Sequence, residues 1–250
     1  MSRGEATIIA PQMARITRGG MRARLADGAG DTDAVMALRH QAWPSDGADP
    51  LDAVAGQLMI EGRDGRLLAT LRVGLVPAVA LAGSYSARYY DLAPLAAGSG
   101  LWLEPGRFAA APGAGWEALR MCWAALARIA LEAGVRGLFG CASFPGADWQ
   151  PHREALALLA AQPVPPGALR PGPRAPERVT YPALAGVVSD HKAALAGMPP
   201  LLRFYLSLGG QVSDHAVVDR QLDTLHVFTC VETDRIPKAR RESLRALAMD

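Results

Sequence analysis

Residues 102–108 read Trp-Leu-Glu-Pro-Gly-Arg-Phe, inside a stretch whose apolar flanks predict a β-strand. Pro105 has no N–H for a strand ladder and Gly106 brings no side chain to pack. The pair therefore excludes a regular central strand and predicts a bulge. On a regular strand Glu104 and Arg107, three residues apart, face opposite ways; across a bulge they can share one face. A carboxylate and a guanidinium converging beside interrupted backbone pairing make either a site for charged chemistry or a surface ion pair beside a loop.

Other charges in structured surroundings enlarge that set. Arg72 lies on the apolar run Leu67–Val76, and Asp49 and Asp52, three apart, precede a strand predicted at 57–61. Arg39 and Trp43 lie four apart near the end of a helix that Asp31-Thr32-Asp33 caps. Taken together they form a candidate ion-pair network in a cleft.

Along the chain, Gly62-Arg63-Asp64-Gly65 joins the strand 57–61 to a strand 66–76, Asp-Gly being a strong hairpin signal. A polar, Tyr-rich loop spans 84–91. The bulged strand 102–111 runs through a turn into a helix over 116–133, which Gly134 stops, and a short buried strand follows at 137–142. A helix is predicted over 151–161, short helices over 190–196 and 200–208, and a strand pair over 211–218 and 225–231. Residues 163–176 hold six prolines and two glycines and read as a surface loop. This order predicts a mixed α/β sheet with a parallel pair across the helix 116–133. Residues 1–21, with Arg3, Arg15 and Arg18 against Glu5, read as a basic, flexible tail. Residues 22–250 then form one domain.

Several functions lose their support. No run approaches the roughly 20 apolar residues of a membrane span, and 1–26 lacks the apolar core of a secretory signal. Cys122, Cys141 and Cys230 are far apart without metal-ligand spacing, so they read as reduced thiols of a cytoplasmic protein, with no metal site. A net charge of +2 with scattered arginines argues against nucleic acid. No glycine-rich dinucleotide loop or Walker loop is present.

Three longer segments carry a family resemblance: Phe139-Gly140-Cys141-Ala142-Ser143-Phe144-Pro145-Gly146, the run Met198–Leu206, and Gly209–Asp219 with Gly-Gly-Gln-Val-Ser-Asp-His-Ala-Val-Val-Asp. Over about residues 22–245 the chain resembles the ornithine–acyl-carrier-protein N-acyltransferases of ornithine-lipid synthesis, in the GNAT superfamily. That resemblance implies a GNAT-like mixed β-sheet with flanking helices and a splayed, bulged central strand. It also implies transfer of a 3-hydroxyacyl chain from acyl-carrier protein to the α-amino group of ornithine, with no tightly bound cofactor and the acyl-phosphopantetheine as donor. Acyl-homoserine-lactone synthases of the same superfamily share the spacing of Arg39 with Trp43, Asp49 with Asp52, Arg72, and Glu104 with Arg107. Two departures stand out: Gln57 replaces the usual His before the hairpin strand, and Pro105 replaces an aliphatic residue.

Aminolysis of a thioester needs a base for the amine proton and donors for the oxyanion. Glu104 is the candidate base, and the N–H groups of Arg107 or Phe108 at the bulge are candidate oxyanion and pantetheine contacts. Asp49 and Asp52 suit the ammonium groups of the acceptor, and Arg72 or Arg107 its carboxylate. Cys141 and Ser143 lack the context of a nucleophile. Asp214 and His215, adjacent on a strand, should point to opposite faces, so at least one is structural. For the acidic carrier protein, Arg235, Lys238, Arg240, Arg241 and Arg245 form one basic dock, and Arg120 with Arg128 another; anionic membrane is a further partner for the same surface. Glutamine or lysine as acceptor, a lactone-synthase-like activity, and a silent carrier-binding module stay open.

Overall fold

The structure, a computed structural model, describes residues 9–181 and 190–249. In chain order its main elements are β1 (Ile16–Arg18), β2 (Met21–Leu25), α1 (Ala29–Ala42), β3 (Gly56–Glu61), β4 (Leu67–Pro77), β5 (Tyr90–Asp91), α2 (Ala93–Ala96), β6 (Leu101–Ala110), α3 (Gly115–Ala133) and β7 (Gly137–Pro145). The second half adds α4 (Arg153–Ala160), β8 (Gly172–Pro173), β9 (Arg178–Thr180), α5 (His191–Ala196), α6 (Pro200–Ser207), β10 (Gln211–Asp219), β11 (Thr224–Glu232) and α7 (Lys238–Met249). The architecture is mixed α/β, as the element order predicts. The chain divides into two compact units, one of residues 1–77, 100–138 and 237–250, the other of 78–99 and 139–236.

In the first unit, β1, β2, β3, β4 and β6 form successive antiparallel pairs. The start of β7 adds a parallel pair, registered at Trp102↔Gly137 and Leu103↔Leu138. Between those parallel strands runs α3, whose Met121, Trp123, Leu126 and Ile129 are buried and which packs on β2, β3 and β4. Gly134 ends it in the left-handed conformation (φ 60°) that its lack of a Cβ permits. Helix α1 packs on β3, β4 and β6, and α7 on α3.

Residues 9–21 are not the flexible tail expected. Ile9, Ala14 and Ile16 are buried, and β1 pairs with β2, so apolar burial orders a segment whose charges suggested a solvated tail.

The bulge also falls elsewhere than expected. Pro105 and Gly106 stay in register, opposite Val73 and Arg72; the next pair is Ala109↔Thr70, so Arg107 and Phe108 together oppose Leu71. Proline is accepted here because the parallel register with β7 ends at Leu103, giving β6 edge character before residue 105 is reached. The unusual backbone is that of Arg107 (φ 53°), one of two non-glycine residues with positive φ among those described. An L-residue in that region carries a steric cost of about 1 kcal/mol or more.

In the second unit, strands follow the order β7-β11-β10-β9, with β10 antiparallel to both neighbours. Helices α4 and α5 pack together, and Phe144, Leu156, Tyr181, Leu202 and Val227 share one core. Gly210 is required by space: a Cβ there would meet Tyr205 O at 2.7 Å. The proline-rich stretch is stitched down rather than a free excursion. Its β8 pairs with β5, and Ala175 N–H donates to Tyr89 O at 2.9 Å.

Candidate functional site

Six charged side chains of the first unit close into a ring of alternating sign. Arg39 Nε bonds Asp46 Oδ2 at 2.7 Å, and Arg107 Nη1 meets Asp46 Oδ1 at 2.7 Å. Arg107 Nη2 reaches Asp49 Oδ2 at 3.4 Å, which Arg72 Nη1 also approaches at 2.9 Å. Arg72 Nη1 lies 3.2 Å from Asp52 Oδ1, and Arg39 Nη1 returns to that oxygen at 2.8 Å. The order is Arg39, Asp46, Arg107, Asp49, Arg72, Asp52 and back to Arg39. Three guanidinium groups balance three carboxylates.

Local structure explains how they meet. Arg39 leaves the last turn of α1, and Trp43 closes that helix with its N–H on Arg39 O at 2.7 Å. Asp46 N–H then donates to Trp43 O at 2.9 Å, turning the chain. Asp49 caps the short 3-10 turn 50–53, accepting from Leu51 N–H at 3.0 Å through Oδ1 and leaving Oδ2 for the two arginines. Pro50 at the first position of that turn suits a residue without an N–H. Arg72 stands opposite Gly106 on the neighbouring strand, so the bulge that follows brings Arg107 to the same carboxylates. Trp43 Nε1 donates to Phe108 O at 3.0 Å, which ties the helix end to the bulge.

Burial makes the ring consequential. Arg39, Asp46, Asp49 and Arg72 are all buried. For Arg39, burial favours loss of the proton, but hydrogen bonds to Asp46 and Asp52 more than offset it and its pKa is raised. Burial pushes the Asp52 carboxyl up, while Arg39 and Arg72 overcome this and hold it below its ordinary value. Both groups keep their charge because partners replace the water they lose.

The ring borders a cleft of about 1390 Å³ within this unit, lined among others by Met36, His40, Asp46, Asp49, Asp52 and Gln57. Arg39, Trp43, Asp49, Asp52, Arg72, Arg107 and Phe108, all singled out in the sequence, are thus brought together. Asp46 was missed. Its signal was present, since Asp46, Asp49 and Asp52 repeat every three residues and Asp46 stands seven after Arg39. Glu104 is partly buried on β6, opposite Gly74, and the ion pairs of Arg107 described above run to Asp46 and Asp49.

A second polar cluster belongs to the other unit. Tyr90 O–H donates to His226 O at 3.0 Å and lies 3.3 Å from His226 Nδ1, while Tyr89 O–H donates to Asp219 at 3.1 Å. Burial drives the His226 pKa down to about 4, so this imidazole is neutral at pH 7. His215 Nδ1 lies 2.7 Å from the exposed Asp214 although the two are adjacent on β10. The register explains it: β10 advances four residues from Val212 to Ala216 while β11 advances two. Two extra residues re-aim the side chains that strict alternation would separate.

Cys122 and Cys230 are buried, and burial pushes the Cys122 thiol up to about 12; Cys141 is partly exposed, with Sγ 3.7 Å from Ser86 Oγ. Of the proposed basic docks, Arg120, Lys238, Arg240 and Arg245 are exposed, whereas Arg128 is engaged by Glu132 and Arg15 O. No helix among the described residues is long and apolar enough to cross a membrane.

No family model matches the chain. It is 38% identical over 154 residues to an L-ornithine N(alpha)-acyltransferase of Rhodobacter capsulatus, a stretch that is 61% of this chain and 59% of that protein. A protein of the same name from Rhizobium meliloti is 30% identical over 118 residues, 47% of this chain and 40% of that one. A third, from Agrobacterium fabrum, is 28% identical over 250 aligned positions, 87% of this chain and 83% of that protein. The chain thus spans 59% and 40% of the first two relatives. Among solved structures it is similar to FeeM, an N-acyl amino acid synthase from uncultured soil microbes, with a TM-score of 0.49 and 11% identity over 92% of this chain and 95% of that one.

Proposed function

We propose that this chain is an acyl-carrier-protein-dependent N-acyltransferase of GNAT type, which moves a 3-hydroxyacyl chain onto the α-amino group of ornithine. The observation that carries the reading is similarity to relatives that share one name, L-ornithine N(alpha)-acyltransferase. The charged ring supports its location. It gathers the substrate-binding candidates Arg39, Trp43, Asp49, Asp52 and Arg72 beside the bulge of β6.

In this reading the unprotonated α-amine attacks the thioester carbonyl, the C–N bond forms and the C–S bond breaks. The amine's proton passes to Glu104, which returns it to the departing pantetheine thiolate, so the thiol leaves neutral and the carboxylate is regenerated. The N–H of Phe108 at the bulge donates to the developing oxyanion. Trp43, holding Phe108 O, anchors the adjoining Phe108–Ala109 peptide, one link beyond that N–H. The carrier protein's acidic surface meets the exposed arginines of α7 and α3. Arg107 orders the site from within, its constrained backbone held by the ion pairs to Asp46 and Asp49.

Glu104→Gln tests the chemistry. It retains size and hydrogen bonding but removes basicity, and general-base contributions are about 10²–10⁴-fold. The expected result is a folded protein with turnover reduced by that order at neutral pH and partly recovered at higher pH, where more acceptor amine is already deprotonated. Near-normal turnover at neutral pH removes Glu104 from the mechanism. Lipid extracts of a host expressing the chain, analysed by mass spectrometry, should contain a new acyl-ornithine; their lacking any acyl-amino acid refutes the transfer reading.

A further inference from the structure

Among the described residues, the donors that bind Asp52 converge on one of its two oxygens. Oδ1 receives Arg39 Nη1 at 2.8 Å, Arg72 Nη1 at 3.2 Å and Gln57 Nε2 at 3.2 Å. Oδ2 is buried and has no hydrogen-bond partner among the described residues. Gln57, 7% exposed, repeats the pattern: its Nε2 is spent on Asp52, and its Oε1 is buried and unmatched. The bond to Asp52 fixes which end of the amide is oxygen, since a flipped amide would face a carboxylate with its own acceptor. Both residues line the cleft. Unmatched acceptors of this kind are costly, by about 1–3 kcal/mol for each group, and native proteins retain few of them.

We infer that Asp52 Oδ2 and Gln57 Oε1 form a subsite for a primary ammonium group at the end of the acceptor's side chain, with Gln57 a specificity-determining residue. An ammonium has three N–H donors and no acceptor, so it satisfies both oxygens at once. A carboxylate partner makes one of the two bonds charge-assisted. An alkyl end group would strand both acceptors, and a carboxamide, with two N–H donors but no charge, gives up the charge-assisted bond to the carboxylate. The apolar lining at Leu25, Met36 and Val54 suits the methylenes that separate the two ends of a diamino acid. The inference rests on the amino-acid acceptor proposed above but adds what selects it.

The test is calorimetric binding of ornithine, norvaline and glutamine to the full chain, alongside an acyl-transfer assay with the same three acceptors. Norvaline is ornithine without the distal ammonium. Wild type should bind ornithine about ten- to a hundredfold more tightly than norvaline or glutamine, the range for a hydrogen bond to a charged group. Gln57→Met, matched in size, should abolish most of that preference. Gln57→His, with one ring nitrogen to donate and one to accept, should keep it within a few-fold. Equal binding of the three acceptors, or a preference that survives in Gln57→Met, overturns the subsite. If wild type acylates ornithine and norvaline equally, the transferase reading stands and the subsite falls. If ornithine binds with the stated preference and is not acylated, the subsite stands and the transfer reading falls.

Discussion

Arg39 in the first unit and His226 in the second are each 1% exposed, yet they answer burial in opposite ways. Arg39 keeps its charge, because Asp46 and Asp52 bond it at 2.7 and 2.8 Å. His226 has a tyrosine hydroxyl at Nδ1 and no carboxylate bonded to it among the contacts described; burial pushes its pKa to about 4 and leaves the ring neutral. A guanidinium cannot shed its proton in a protein, so the fold must build carboxylates around it. An imidazole can, so its site needs only neutral partners. The first unit therefore carries a charged network that is stable only when complete. In the second unit it is His226 that is neutral, beside the carboxylate of Asp219, and acid is what disturbs it.

Breaking the ring should have the largest effect. Arg39→Met leaves Asp46 with Arg107 and Asp52 with Arg72, two guanidinium groups against three buried carboxylates, and removing one member of a buried pair typically costs about 3–5 kcal/mol. In denaturant titrations the double variant Arg39→Met/Asp46→Leu should be less destabilised than the sum of its singles, because the second change restores the balance of buried charges. A single variant as stable as wild type would mean that the ring is not satisfied as described.

Acid should expose the other cluster. The folded pKa of His226 is about 4 against 6.5 for the ordinary group, so the unfolded chain takes up the proton first as pH falls. Its contribution is complete above pH 6.5, declines between 6.5 and about 4, and is flat below. Summed over that window it is about 3 kcal/mol. Asp52, held below its ordinary value, loses its contribution only at lower pH, as the solution passes first its unfolded and then its folded pKa. Chemical denaturation at stepped pH should show the upper of these two regions vanish in His226→Gln. An unchanged profile would place the titration elsewhere.

The smallest change sharpens the contrast. Tyr90→Phe deletes one neutral hydrogen bond to His226 O, for which about 0.5–1.5 kcal/mol is expected. A loss as large as that of Arg39→Met would show that the cluster around His226 is as interdependent as the charged ring.

Much of this was legible in the chain itself. The hairpin at 62–65, the helix after the bulge and its Gly134 stop follow from turn chemistry and periodicity, and these act over a few residues. Five charged positions of the site stood out because charged residues in apolar surroundings demand partners, Trp43 by its spacing from Arg39, and Phe108 by its place at the expected bulge. Asp46 could have been found by extending the three-residue step from Asp49 and Asp52 backwards. The bulge was expected from Pro105-Gly106 but lies at Arg107-Phe108, because whether a proline harms a strand depends on where the neighbouring ladder ends, which no local pattern contains.

Residue types and spacings by themselves marked which opposite charges would gather into one network near β6, since charges set among apolar residues need partners. Only the tertiary structure decided that they close into a ring, which arginine meets which carboxylate, and that Oδ2 of Asp52 and Oε1 of Gln57 are left over. The physical reason is that pairing of buried charges depends on ångström-scale distances between segments far apart in sequence. Arg39, Arg72 and Arg107 come from α1, β4 and β6, and strand register and helix ends bring them together.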